Sequence, residues 1–349
     1  MRWPEESLML AVRKMAPGAT PFTLEEIERP EPRPGQARVA VFGAGMCGTD
    51  VHILDGDYAS KPPVTIGHEV AGVVDAVGSP GDVEWVGTRV ALETAVTCGI
   101  CEWCRTGKPM LCANRLSIGS GLDGGYASHL VVPIRNLHVL PDNVDERAAA
   151  VSEPLACVCN ALLDPPAVTA GDRVVIIGAG AIGIIAAQVA RASGGRVTLF
   201  GTESDAHRLE IAASIGFECR SVDDERERRS VELEAADRTI NVVVECAGAR
   251  AAAEWGITLV RPGGRYVQMG LSGDVSISMT NLVMREVSIR SGMASSPASW
   301  WRAMRLFEAD LVNLAPLVTD VLPLRDWAVA VDRMRKREGI KSVLDPRLT

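Results

Sequence analysis

Cys98, Cys101, Cys104 and Cys112 stand in the pattern Cys-x-x-Cys-x-x-Cys-x7-Cys, and no other segment limits the folded chain as tightly. Thiols so close together match the needs of a tetrahedral zinc site, in which soft sulfur ligands converge from one loop. Disulfides would suit a secreted chain, but the first residues lack a basic start, an apolar stretch and a small-residue cleavage site. Buried thiols would rarely recur at every third position of a stretch otherwise made of Gly, Glu, Trp, Arg, Lys and Pro. The spacing therefore predicts a zinc-stapled lobe over about residues 95–115.

The 349 residues suggest two domains at roughly 150 residues each. With 47% hydrophobic and 23% charged residues, both domains can bury a core. Apolar runs are broken by Gly or charge well short of a membrane span, so no membrane partner is expected. A net charge of -8 argues against a nucleic-acid surface, and with it against a DNA-binding zinc ribbon. Nine cysteines without a secretion signal point to a reducing, cytoplasmic location.

From about residue 8 to 150 the chain reads as short β-type runs between turn residues, among them Arg38 to Phe42, Val70 to Val74 and His129 to Val132. Near residue 145 the texture changes, and a helical pattern runs from Ala148 to Leu163, stopped by Pro165-Pro166. Strand, Gly-rich turn, helix and strand follow over residues 173–200. Strand-like runs at 240–244, 264–269 and 287–290 predict a parallel sheet with helices on both faces. The charged run Asp223 to Arg229 reads as a solvated helix face. His129 and His138 read as structural, Cys157, Cys159, Cys219 and Cys246 as buried thiols, and the Trp300-Trp301 pair as core or interface.

Gly178-Ala179-Gly180-Ala181-Ile182-Gly183 matches G-x-G-x-x-G, follows an apolar strand and opens a helix. In that context it predicts a dinucleotide site, with the pyrophosphate on the helix N-terminus. The acid that usually binds the ribose 2′-hydroxyl after the second strand is replaced by Gly201, in Gly201-Thr202-Glu203-Ser204-Asp205. Its loss leaves room for NADP. Yet Arg208 is the first basic residue of the turn other than His207, while Glu203 and Asp205 would repel a phosphate. The balance leans to NAD.

Three further segments carry candidate chemistry: Cys47-Gly48-Thr49-Asp50-Val51-His52, Gly67-His68-Glu69 and Glu153-Pro154-Leu155-Ala156. A thiolate, an imidazole and a carboxylate are the donors of an open catalytic zinc site with a fourth position for substrate, but spacing alone does not establish one, and a His beside a Glu on a strand is more often a structural pair. Taken with the cysteine lobe and the Gly-rich turn, in this order, these segments resemble the zinc-dependent medium-chain dehydrogenases over essentially the whole chain. The closest motifs are those of the polyol (sorbitol) and threonine dehydrogenase branch.

The resemblance implies an α/β architecture. A GroES-like β-domain (1–155 and 298–349) would enclose a Rossmann domain (156–297) with a doubly wound parallel sheet. It implies Cys47 and His68 as catalytic zinc ligands, with Glu69 and Glu153 as alternatives for the third. It also implies Asp50 as the acid that orients the imidazole, and Thr49 and His52 as a proton relay. Two zinc ions per chain, NAD or NADP, a small alcohol or ketone substrate and a homodimer or homotetramer complete the expectation. The expected reaction moves hydride between a secondary alcohol (a polyol, sugar or amino alcohol) and the dinucleotide. A primary alcohol or aldehyde dehydrogenase, or a non-catalytic dinucleotide-binding relative, are the alternatives. Two departures stand out: Gly201, and Gly87-Thr88-Arg89 where Gly-Asp-Arg is common.

Overall fold

The computed structural model describes residues 7–348, which divide into two compact units. One comprises the chain up to Glu153, then Ser295–Ala309 and the segment from Leu314 onward; the other comprises Pro154–Ala294 and the short return Asp310–Asn313. That return is tied in by a reciprocal pair: the Asn313 amide donates to Gln188 Oε1 at 2.6 Å, and Gln188 Nε2 donates to the Asn313 carbonyl at 3.1 Å.

The first unit is built on a seven-stranded sheet, with a three-stranded sheet beside it in the same unit. Its central strand, Gln36–Gly45, is almost wholly buried, and its Val, Ala and Phe side chains meet core on both faces. Glu69–Val77 and the terminal strand Lys341–Leu344 flank it, both antiparallel to it. Gly45 pairs with Glu69 on one side and with Val343 on the other. The chain continues directly from Gly45 through Met46 to Cys47. One end of this sheet therefore gathers Cys47, the His68-Glu69 pair and Lys341 from three distant parts of the sequence.

The second unit holds six parallel strands: Arg173–Ile177, Arg196–Gly201, Glu218–Ser221, Val242–Glu245, Arg265–Gln268 and Ser288–Ser291. Their spatial order, counted along the chain within this sheet, is 3-2-1-4-5-6, the doubly wound dinucleotide-binding arrangement. Val174 to Ile177 and Val242 to Glu245 are buried, as central parallel strands require.

Two details differ from the sequence expectation. The helix anticipated from Ala148 to Leu163 is two helices, Glu146–Ala149 and Ser152–Leu163. Pro154 has no N–H to donate to the carbonyl of residue 150, so one helix cannot run through, and proline is tolerated only in the first turn of a new one. This break sets Glu153 in that first turn. Of the four cysteines read as buried, only Cys159 is; Cys157, Cys219 and Cys246 are partly exposed. Trp300 is fully buried, stacked on His138 at 4.6 Å, whereas Trp301 is 65% exposed. No helix among the described residues is long and apolar enough to cross a membrane.

Candidate active site

Helix Gly48–Asp55 starts at Cys47, whose amide donates to Asp50 Oδ2 at 2.9 Å. This bond fixes the first turn and directs the Asp50 carboxylate back into the core, where it is fully buried. Asp50 Oδ1 stands 3.3 Å from His68 Nδ1. Burial would lower the His68 pKa, but the anionic Asp50 and Cys47 around it more than offset this and raise it well above the ordinary value. Gly67, just before the imidazole, has a φ of +94°, and a Cβ there would lie 2.3 Å from the Tyr126 ring. Only glycine fits that approach.

The ligand atoms of Cys47, His68 and Glu69 lie within 4.8 Å of one another. Glu153 is outside this group but close by: Thr94 Oγ1 lies 3.5 Å from Glu153 Oε1 and 3.2 Å from the His68 carbonyl oxygen. The Thr49 hydroxyl lies 3.7 Å from the Cys47 sulfur. His52, on the same helix, has a side chain 54% exposed, with Nδ1 4.0 Å from Asp57 Oδ2. A thiol, an imidazole and carboxylates gathered this closely at one end of the sheet are a donor set suited to zinc.

Sequence reading missed two residues here. Tyr126 is fully buried, and its hydroxyl donates to Asp50 Oδ2 at 2.7 Å. Burial, with the Asp50 charge beside it, drives the phenol pKa well above its ordinary value, so it remains a donor. Lys341, 5% exposed, donates to both oxygens of Glu69 at 2.8 Å and to the Met46 carbonyl at 2.9 Å. Burial opposes its charge, but the Glu69 carboxylate more than compensates and raises the ammonium pKa. A lysine at the head of the apolar run Val343-Leu344 was the one available signal.

The four cysteine sulfurs also converge. Cys98 lies 3.9 Å from Cys104 and 3.6 Å from Cys112, and Cys101 lies 3.5 Å from Cys104. Four sulfurs tetrahedrally bound at about 2.3 Å to one zinc would stand about 3.8 Å apart, so the lobe is shaped for the ion. Hydrogen bonds from the backbone at Ile100 and Cys101 pull the Cys98 thiol down to about 6, toward the ligating thiolate.

In the other unit, the fingerprint glycines each answer a different constraint. Gly178 has a φ of +109°, and a Cβ there would meet the Ala247 amide nitrogen at 2.7 Å. A Cβ on Gly183 would strike the Gly178 carbonyl oxygen at 1.8 Å, whereas one on Gly180 would meet nothing within 4 Å. The turn is thus closed toward the protein and open where a pyrophosphate approaches. Ala181 and Ile182 begin the helix Ala181–Ala192, whose N-terminus has no side-chain cap. Gly201 ends the second strand, and a Cβ there would crowd Ala179, Asp205 and Leu209 at 3.2 Å each. Beyond it, Thr202 donates through both amide and hydroxyl to Asp205 Oδ2, Arg208 pairs with Asp205 Oδ1 at 3.1 Å, and the Glu203 amide donates to Asp223 at 2.7 Å.

A cysteine-stapled β-unit with a thiolate, imidazole and carboxylate pocket, joined to a dinucleotide-type parallel sheet, defines a metal-dependent dehydrogenase. Family models agree: residues 33–142 match the alcohol dehydrogenase GroES-like domain and residues 181–309 the zinc-binding dehydrogenase domain. A sorbitol dehydrogenase of Halalkalibacterium halodurans is 36% identical over 97% of this chain and 99% of its own length. An L-threonine 3-dehydrogenase of Pyrococcus horikoshii is 33% identical, covering 89% of this chain and 90% of its own. Among solved structures, a Sinorhizobium meliloti 1021 protein described as a zinc-binding dehydrogenase and bound to NADP superposes with a TM-score of 0.87. It is 28% identical, over 98% of this chain and 100% of its own. The chain belongs to the zinc-dependent medium-chain dehydrogenases, an oxidoreductase family that uses zinc and NAD or NADP.

Proposed function

We propose that this enzyme oxidises a secondary alcohol bearing further hydroxyl or amino groups (a polyol, sugar or amino alcohol) at a zinc held by Cys47, His68 and one of the two carboxylates Glu69 and Glu153. The observation that carries this reading is the pair of buried carboxylates, Glu69 and Glu153, beside one thiolate and one imidazole. A carboxylate-bearing shell is what the resemblance to the polyol and threonine branch implies, and two relatives with those activities span nearly the whole chain.

When bound, zinc supplies a Lewis acid that lowers the pKa of the alcohol, and the dinucleotide supplies the hydride acceptor. The protein's own groups handle the proton. Thr49, beside the Cys47 sulfur, accepts it from the substrate hydroxyl, and His52, half exposed on the same helix, releases it to solvent. Asp50 fixes the tautomer and orientation of His68. The cysteine lobe holds the second zinc as a purely structural element.

For the cofactor we favour NAD, because Glu203, Asp205 and Asp223 crowd the turn after Gly201 and Arg208 is paired with Asp205. The likeness to an NADP-bound structure favours the other choice. We further propose a cytoplasmic homodimer or homotetramer. Among the described residues the outer strand Ser288–Ser291 has no strand partner on one side, and Met279, Val283, Met284 and Ile289 are exposed in the same unit. The test is nicotinamide reduction followed by absorbance, with NAD and NADP in parallel against polyols, sugars, L-threonine and simple secondary alcohols. Reduction with a polyhydroxylated or amino alcohol is the expected result. Turnover confined to primary alcohols would overturn the substrate class, and preference for NADP would overturn the cofactor choice.

A further inference from the structure

Glu245 is a fully buried carboxylate in the second unit that the chemistry described above does not use. It ends the strand Val242–Glu245, where it pairs with Ile177 on one side and Gln268 on the other. Its Oε1 accepts the Ala247 and Gly248 amides at 2.7 and 2.9 Å, and its Oε2 accepts Gln268 Nε2 at 2.6 Å. Its carbonyl accepts the Met269 and Gly270 amides at 2.8 and 3.0 Å. One residue therefore holds the loop after its own strand, 246–248, and the loop after the next strand, 269–272. Gln268 is fixed in turn. The Tyr266 hydroxyl donates to its Oε1 at 2.8 Å, and its Nε2 also lies 2.7 Å from both the Gly270 carbonyl and Ser272 Oγ.

Burial opposes the charge on Glu245 and raises its pKa, and the surrounding amides partly offset this. A carboxylate sealed in this way is costly unless its oxygens stay hydrogen-bonded, so the two loops cannot drift apart without stranding it. The packing leaves no slack. A Cβ on Gly270 would lie 2.3 Å from the Gly248 amide nitrogen and 2.6 Å from Glu245 Oε2.

The place of this clamp in the sheet gives it a purpose. Strand order reverses between Arg173–Ile177 and Val242–Glu245, and a dinucleotide lies across the crevice at the carboxyl ends of those strands. The phosphate turn leans on the clamped loop: the Cys246 amide donates to the Ile177 carbonyl at 2.8 Å, and a Cβ on Gly178 would strike the Ala247 amide nitrogen. The first three strands of such a sheet serve the adenosine mononucleotide, whose ribose meets the turn after the second. The nicotinamide mononucleotide then falls to the loops after the fourth and fifth strands, here 246–248 and 269–272. We propose that Glu245 is a positioning residue for the cofactor: with Gln268 it ties these two loops into one rigid floor for the nicotinamide half, and it has no part in holding the adenosine half.

The test compares the whole dinucleotide with its adenosine fragment, on the full chain and without turnover. Binding of NADH or NADPH, whichever the wild-type protein holds more tightly, is measured by calorimetry beside AMP or 2′,5′-ADP respectively. Glu245→Gln turns an N–H group toward amide donors and should weaken the reduced dinucleotide about tenfold or more. The fragment should bind as it does to wild type. Gln268→Met cuts the tie between the loops but leaves Glu245 the Ala247 and Gly248 amides. It should show the same selective loss, and it decides the matter if Glu245→Gln does not fold. Equal weakening of dinucleotide and fragment would make Glu245 a general prop of the unit and overturn the proposal. Unchanged dinucleotide binding in either variant would overturn it as well.

Discussion

The Tyr126 hydroxyl donates to Asp50 Oδ2 at 2.7 Å, and the other oxygen of the same carboxylate faces His68 Nδ1 at 3.3 Å. A phenol from a glycine-rich loop thus anchors the acid that faces the imidazole proposed to hold zinc. Such outer partners set metal affinity, because a ligand free to rotate loses the geometry the metal needs. Tyr126→Phe deletes only the oxygen and leaves the ring against Gly67. Zinc affinity of the catalytic site should fall about 10–100-fold, measured by competition with a chromogenic chelator. The structural site should hold its ion unchanged; loss of both ions would mean the variant had disturbed the fold instead.

The two zinc sites should separate cleanly by mutation. Cys47→Ser should abolish turnover with the melting temperature little changed, since the pocket loses its thiolate but no packing. Cys98→Ser should release the structural ion and lower the melting temperature, because the lobe depends on the metal for its staple. Zinc analysis should give about one equivalent per chain in each variant. Residual turnover in Cys47→Ser would remove that residue from the ligand set.

Gly183→Ala is expected to damage the dinucleotide unit. Its Cβ would lie 1.8 Å from the Gly178 carbonyl oxygen, a backbone atom that cannot swing aside. The helix must back away from the turn, at a cost of about 1–3 kcal/mol or more. Dinucleotide affinity, read by quenching of intrinsic fluorescence, should drop with it. Gly180→Ala offers the contrast: no heavy atom lies within 4 Å of its added methyl. Stability there should hold while dinucleotide affinity falls, because the methyl occupies the approach of the pyrophosphate.

His129 gives the first unit a pH dependence. Burial drives its pKa down to about 4, partly opposed by Asp75 and reinforced by Arg38 and Arg29. The unfolded chain takes up that proton near pH 6.5, whereas the folded chain resists until about pH 4. Between these values the unfolded state binds more protons, so stability declines as pH falls. The decline should be shallower in His129→Gln, measured as melting temperature against pH. Equal slopes in the two proteins would show that His129 does not carry the effect.

Local motifs were readable in the linear chain because local backbone geometry produces them. Cys98, Cys101, Cys104 and Cys112 reach one point because a single loop carries all of them. Gly178, Gly180 and Gly183 describe one strand-to-helix turn whose steric demands lie within that turn. Pro154 shows the limit even here: helical composition from Ala148 suggested one helix, and the missing N–H divided it.

What the sequence by itself determined was the inventory: which thiols, imidazoles and carboxylates exist, and which close neighbours act as a unit. Only the tertiary structure decided which of them share a buried environment. Lys341 meets Glu69 across 272 positions of chain, and Tyr126 meets Asp50 across 76. The first meeting depends on strand order, which lays Lys341–Leu344 and Glu69–Val77 on opposite sides of Gln36–Gly45, and the second on backbone bonds that tie Tyr126 to Ile66 and Val12. A buried charge is tolerable only beside its partner, and partners so far apart in sequence become neighbours only when the sheet is assembled.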